Sequence, residues 1–291
     1  MPLRIPLREQ ELDRVIGLPA VANDDLIVVD EVISQADPIV EALAIINGVQ
    51  AQDDILDNPR NLVVTIVDVN ASITAGTIEI IGTDIDDQVI TESYSIVGNL
   101  VYTTTNIFKT VTTITVAGLT GNEGSDTIEV TAGGSGVLTI DAQPDVCRNL
   151  SVEITDGDTS ITAGSVTITG SDYLDRTITE VVTFVVGTLT YATSKCFKTV
   201  TSAVFAGFAG VTGDDDTIII GSGTLIGMKE DLWNVDALGD VYLGTKVTPQ
   251  AVTTGKSTSG IDTADSTYTA AKTMWYKINP YKNKRIHGKT S

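Results

Sequence analysis

The chain contains much of its own sequence twice. Gly48 to Gly133 aligns with Gly136 to about Gly223, at a shift that is 88 residues between Arg60 and Arg148 and 90 between Asp126 and Asp216. The landmarks recur in order: RNL at Arg60 and Arg148, SITAG at Ser72 and Ser160, ITE at Ile90 and Ile178, G-x-L-x-Y at Gly98 and Gly187. FKTVT at Phe108 and Phe197, Ala-Gly at Ala117 and Ala206, and DTI at Asp126 and Asp216 complete the series. Roughly half the positions from Arg60 to Ile128 are identical in the second copy, which only duplication of a whole folding unit explains.

Each unit reads as short strands. Leu62, Val64 and Ile66 alternate with Val63, Thr65 and Val67, and the second copy sets Leu150, Val152 and Ile154 against Ser151, Glu153 and Thr155. The first set in each copy faces a core. SITAGTIEI and SITAGSVTI give a turn and a second alternating strand, with Ile78 and Ile80 matching Val166 and Ile168. Further strands are expected near Val89–Val97, Leu100–Thr105, Phe108–Val116 and Thr127–Thr131. Aromatics are only 5% of the chain, and the β-branched residues and glycines that dominate it favour strands and tight turns. Six or seven strands per unit, with turns every ~8 to 12 residues, suit a two-sheet, immunoglobulin-like sandwich.

The expected architecture is therefore all-β: two tandem Ig-like β-sandwich domains, residues 48–134 and 135–226, with an irregular N-terminal docking segment, residues 1–47, and an extended C-terminal arm, residues 227–291. GTLIGMKEDLW after Gly223 starts like a third copy and then departs, and the arm ends in the aromatic, basic MWYKINPYKNKR. Where the second copy has Ser151, Thr155 and Thr169 on its outer faces, the first has Val63, Val67 and Ile81. These three outward apolar residues on one sheet are either ordinary scatter or, the reading preferred, a surface covered by the N-terminal segment or another subunit.

The formal net charge is -20, and charge is unevenly placed. Lys272, Lys277, Lys282, Lys284, Arg285 and Lys289 lie in a terminal stretch without Asp or Glu. An acidic body repels a phosphate backbone, which argues against nucleic acid as a partner, whereas a basic tail suits docking on an acidic neighbouring subunit. MPLRIPLREQ lacks the apolar run of a cleavable signal, and no run approaches the ~20 apolar residues of a membrane span, so cytoplasmic synthesis is expected. Cys147 and Cys196 are the only cysteines, and their first-copy counterparts are Pro59 and Ile107. A bridge that one copy lacks is not what stabilises the unit, so both are read as free, partly buried thiols.

Catalytic groupings are scarce. The only histidine, His287, is a tail residue far from any glycine-framed serine. Thr254-Gly-Lys-Ser257 resembles the end of a phosphate loop, but the leading glycine would fall at Gln250. Asp84, Asp86 and Asp87 in TDIDDQ, and Asp156 and Asp158 in TDGDTS, invite a calcium test. Counted from Asp84, the glycine and glutamate of the helix-loop-helix calcium loop would fall at Val89 and Ser95. Turn formation is the better reading, and no metal or other cofactor is expected. The sequons at Asn70 and Asn149 are weak three-residue matches. Lys109 and Lys198, in the two FKTVT copies, recur together with Glu92 and Glu180 in the two ITE strands, so Lys109–Glu92 and Lys198–Glu180 pairs are expected inside each unit.

PRNLVVTI, SITAGTIEIIGTD, VITE and FKTVTTITVAG, with their second-copy forms, resemble the Ig-like repeats in structural proteins of tailed bacteriophages. The resemblance spans about Gly48 to Gly223, roughly 60% of the chain. It implies a non-enzymatic virion protein made in the host cytoplasm, with the major capsid protein or other virion subunits as partners and a homo-oligomeric state. A capsid decoration (cement) role comes first; a neck, tail or fibre component, or a host-surface or glycan-binding module, is the alternative. The expected interface residues are Val63, Val67 and Ile81 and, on the arm, Trp275, Tyr276, Tyr281, Lys282, Lys284 and Arg285.

Overall fold

A computed structural model describes residues 12–17, 26–32, 39–50, 52, 55–186, 189–210, 216–233, 236, 238–243, 245–247, 252–254, 260–262 and 274–278. The described residues are all-β, in antiparallel sheets. The first repeat supplies β5 (Arg60–Val67), β6 (Ala75–Thr83), β7 (Val89–Ser95), β8 (Leu100–Thr103), β9 (Thr110–Thr120) and β10 (Thr127–Leu138). The second supplies β11 (Arg148–Thr155), β12 (Ala163–Ser171), β13 (Thr177–Val185), β14 (Thr190–Ala192), β15 (Thr199–Ala209) and β16 (Thr217–Gly227). The residues ahead of them hold β1 (Leu12–Gly17), β2 (Leu26–Val32), β3 (Val40–Ala44) and β4 (Gly48–Val49). Behind them come β17 (Leu238–Leu243), β18 (Thr245–Val247), β19 (Val252–Thr253), β20 (Gly260–Asp262) and β21 (Met274–Ile278).

Alternation decides which face is buried, as the sequence implies. Leu62, Val64 and Ile66 are buried while Val63 and Thr65 are half-buried and Val67 is exposed, and Leu150, Val152 and Ile154 repeat the pattern. In the first repeat β5 lies between β8 and β10, whereas β6 lies between β7 and β9 in the facing sheet. Their inner residues meet in one core with Ile114, Val116, Ile128 and Val130. The second repeat builds an equivalent core around Val152, Val166, Phe205 and Ile220. This topology corrects one expectation. Val63 and Val67 on β5 and Ile81 on β6 belong to opposite sheets, so they lie on opposite outer faces and do not form one patch.

β10 serves both units. Thr127 to Ala132 pair with β5, the register then slips, and Gly136 to Leu138 pair with β15 of the second repeat. The slip falls on Gly133-Gly134-Ser135-Gly136, where a Cβ on Gly134 would overlap the Phe208 carbonyl and one on Gly136 the Pro59 carbonyl. Only glycine lets the backbones approach this closely. Arg60, fully buried, sets its guanidinium 5.8 Å from the Phe205 ring centroid across this junction. The expected boundary between residues 134 and 135 thus falls inside a continuous strand. β16 repeats the device: Leu150 to Thr155 pair with its first part, and Leu225 to Gly227 continue onto β20.

The N-terminal segment, expected to be irregular, runs back along the whole array as edge strands. β3 pairs with β10, β2 with β16, and β1 with β21. It also fills the cores: Ile39, Val40 and Ile45 are buried in the first and Ile27 in the second. Each such isoleucine contributes about 1.5–3 kcal/mol of burial. Because β3 extends the plane of the sheet that holds Val63 and Val67, it does not cover their face. The C-terminal stretch, expected as an extended arm, supplies three strands of a four-stranded sheet in the order β1-β21-β17-β18. The local sequence does not show which distant edges these strands join.

Candidate functional site

The repeated lysines sit at hairpin tips. In the tip between β6 and β7, Asp84 Oδ1 accepts hydrogen bonds from the N–H groups of Asp86 and Gln88, both at 2.9 Å, and Asp87 takes a left-handed φ of 60°. Lys109 Nζ donates to Asp87 Oδ1 at 2.6 Å. The second copy repeats each part: Asp172 Oδ1 accepts from Leu174 and Arg176 N–H, Asp175 has φ 56°, and Lys198 Nζ meets Asp175 at 2.6 Å. Hydrogen bonding to Asp175 raises the Lys198 pKa, which keeps that amine protonated and unreactive.

The expected Lys109–Glu92 and Lys198–Glu180 pairs are therefore replaced by Lys109–Asp87 and Lys198–Asp175. Register is the reason. Lys109 N–H bonds Thr83 O beside the tip, while Glu92 stands opposite Ile80, three residues or ~10 Å further along. The glutamates instead clamp the loop that follows β8 or β14. Glu92 accepts from the Thr105 and Asn106 N–H groups at 2.8 and 3.1 Å and from the Tyr94 hydroxyl, and Glu180 accepts from Ser194 and Lys195 N–H at 2.6 and 2.8 Å. Burial pushes the Glu92 carboxyl up, but the hydrogen bonds from Tyr94, Thr105 and Asn106 together outweigh it and lower its pKa.

The other aspartates also hold backbone. Asp68 accepts from Ser72 and Ile73 N–H, both at 2.9 Å, and Asp126 from Val69 and Glu123 N–H at 3.0 and 2.7 Å. Asp156 and Asp216 occupy the same places in the second copy, bound to Ser160, Ile161 and Gly157 N–H. With Asp158 they bring one carboxylate oxygen each within 4.8 Å of one another, the described grouping with the donor chemistry for a hard cation. In the first copy Asn70 stands where Asp158 does, so this grouping is not duplicated.

The junction beyond the second repeat is tied by side chains that sequence reading did not single out. Arg176, whose first-copy counterpart is Gln88, donates to Asp172 Oδ2 at 2.6 Å and to both oxygens of Asp231 at 2.7 and 2.6 Å. Nearby, Lys229 Nζ lies 5.2 Å from the Tyr173 ring centroid. Cys147 and Cys196 are buried free thiols in the same cluster, with Leu225 and Tyr173. Burial, then the Asp172 charge, pushes Cys147 up to about 12, and burial holds Cys196 well above the usual thiol range. Neither is poised as a nucleophile. Buried Arg148 meets Asp145 at 3.1 Å and donates to Ser222 Oγ; the recurring RNL was its only sequence signal.

Of the expected contact residues, Val67 is 43% exposed, and Val63 and Ile81 are half-buried. Tyr276 is not a contact: it is fully buried in the C-terminal sheet, where its hydroxyl donates to Glu230 Oε2 at 2.8 Å and accepts from Lys229 N–H at 2.9 Å. The Trp275 side chain, Tyr281, Lys282, Lys284, Arg285 and His287 lie outside the described residues, as do residues 255–257. At the first junction a cleft of about 440 Å³ opens between Ile85 and Lys109 of one repeat and Ile140 and Thr201 of the other. No helix of the described residues is long and apolar enough to cross a membrane.

No family model matches the sequence, and no curated protein matches it. Among solved structures, the chain is similar to the PBSX exported protein XepA, at 11% identity over 72% of this chain and 86% of that one, with a TM-score of 0.18. So low a score carries no argument about fold or function.

Proposed function

We propose that the chain is a non-enzymatic structural protein of a tailed-bacteriophage virion, and within it a capsid decoration (cement) protein that binds and stabilises the head. The likeness of its duplicated segments to phage Ig-like repeats supplies the class. The observation that carries a structural role is the continuity of main-chain pairing from unit to unit, through β10 and β16 on one side and through β1, β2 and β3 on the other. Such a body resists local opening, which suits a protein that acts by burying surface in a symmetric assembly. The one duplicated candidate nucleophile, lysine, is spent on exposed ion pairs at the hairpin tips.

In this reading the major capsid protein or another virion subunit is the partner, the chain is homo-oligomeric, and the basic tail with Lys282, Lys284 and Arg285 docks on an acidic neighbour. Neck, tail or fibre placement is the second reading, favoured by the end-to-end chaining of units through shared strands. Copy number in purified particles decides between them: hundreds for decoration, about six to twelve for a neck or tail ring. Reversing the tail charge, with Lys282, Lys284 and Arg285 changed to Glu, abolishes particle binding under the docking model. Unchanged binding rejects that model.

A further inference from the structure

β13 is the outermost strand of the seven-stranded sheet, paired with β12 on one side. Among the described residues no strand pairs with its other side. At the hairpin tip Asp172 N–H donates to Arg176 O. By antiparallel alternation Ile178, Glu180, Val182 and Phe184 then turn their main-chain groups to β12, and Thr177, Thr179, Val181, Thr183 and Val185 turn theirs outward. Two outward groups are already taken: the Thr179 carbonyl accepts from Lys195 Nζ, and Val185 N–H donates to the Tyr191 hydroxyl. Between these guards the N–H and C=O groups of Val181 and Thr183 line the edge.

The same strip is apolar and carries little charge. Val181 is 57% and Val185 61% exposed, and the strand carries one carboxylate, Glu180, which is engaged with the Ser194 and Lys195 N–H groups. On a chain of net charge -20, a second copy meets little repulsion at such a strip. The first repeat does not repeat it: on β7 Ser93 stands where Val181 does, and the carbonyl of Ser95, the counterpart of Thr183, already accepts from the Tyr102 hydroxyl at 3.2 Å.

We propose that β13 is a self-pairing edge, joining two copies strand to strand, antiparallel, about a two-fold axis at Val182. Val181 of one copy then faces Thr183 of the other, and the two symmetric pairs exchange four main-chain hydrogen bonds. Thr179 falls opposite Val185 of the other copy, so the two guarded groups are those that would have met each other, and they mark where the paired strands part on either side of Val181 to Thr183. A two-fold axis at Val181 or at Thr183 would instead set a guarded group against an open one. This hydrogen-bond self-complementarity singles out a second copy as the occupant, in an isologous contact that continues one sheet into the next.

The contact deepens the reading of the chain as an assembling structural protein and rests on it. The test uses full-length Val181→Cys and Thr183→Cys chains; native Cys147 and Cys196 stay buried. A hydrogen-bonded antiparallel pair sets its Cα atoms ~5.5 Å apart, within disulfide reach. Mixed under oxidised glutathione, the two chains are expected to give at least tenfold more linked dimer than either alone. Val181→Lys is expected to sediment as a monomer under conditions where the parent sediments as a dimer. The proposal is overturned if folded chains give no linked dimer in the mixture, if either variant alone links as well as the mixture, or if Val181→Lys dimerises like the parent. Particle copy number is measured separately, so loss of this contact leaves the virion reading standing.

Discussion

Arg176 grips Asp231 with two guanidinium nitrogens, at 2.6 and 2.7 Å, while its third nitrogen holds Asp172. The hairpin tip of the second repeat is thereby bolted to the chain that leaves β16. Replacing Arg176 by glutamine, the residue of the first repeat, removes the fork. The expected loss is about 1.5–3 kcal/mol, read as a lower denaturation midpoint. Amide exchange should accelerate at Lys229 to Leu232 and stay unchanged in β5 to β9.

The N-terminal strands act as inserted core. Ile27→Ala and Ile39→Ala each remove a side chain that is fully buried in a different sandwich. Each should cost about 2–5 kcal/mol, and the double variant should show the sum, because the two sites share no neighbours. Exchange protection should fall in β16 for Ile27→Ala and in β10 for Ile39→Ala.

Glycine at the crossing of β10 is required by contact with backbone. Gly134→Val sets a branched side chain into the Phe208 carbonyl, which belongs to a paired strand and has no room to retreat. A loss of about 1–3 kcal/mol is expected. Gly124→Val, where no atom lies within 4 Å of the new Cβ, is the control and should change stability far less.

Acid should release the Glu92 clamp. The folded pKa lies below the ordinary 4.5, so the stabilisation is present above that value and is lost as pH falls through the folded pKa. Glu92→Gln keeps the shape but not the charge. Its stability curve should lie below the parent's at pH 7 and converge on it under acid, measured by urea unfolding from pH 7 down to 3.

The Lys109–Asp87 and Lys198–Asp175 pairs should matter little for stability. Both partners are well exposed, at 40%/72% and 43%/73% of side-chain area. Lys109→Ala and Lys198→Ala should each leave the denaturation midpoint nearly unchanged, and the more so in molar salt.

What the sequence disclosed is what periodicity and repetition encode: the duplicated unit, the buried set Leu62, Val64 and Ile66, and the turn role of the aspartates. What it withheld depends on register between distant strands. Lys109 and Glu92 recur together, yet a three-residue offset across β6 and β7 gives the lysine to Asp87. The wrapped path of the N-terminal segment was hidden for the same reason: β2 and β3 join the edges of β16 and β10, which for β2 lie nearly 200 residues away. Tyr276 looked like an exposed anchor because its burial partners, Lys229 and Glu230, lie in a stretch with little periodicity.

The pairing of β1 with β21 also sets how the molecule carries load. Leu12 faces Ile278 and Gly17 faces Met274, so the outer ends of the two strands lie side by side. A pull that separates Leu12 from Ile278 meets the hydrogen bonds one after another, as a zip, and not all together, as in shear. Under tension this seam should part at lower force than the β10 crossing, where a strand running through two sandwiches must slide past β5 and β15 at once.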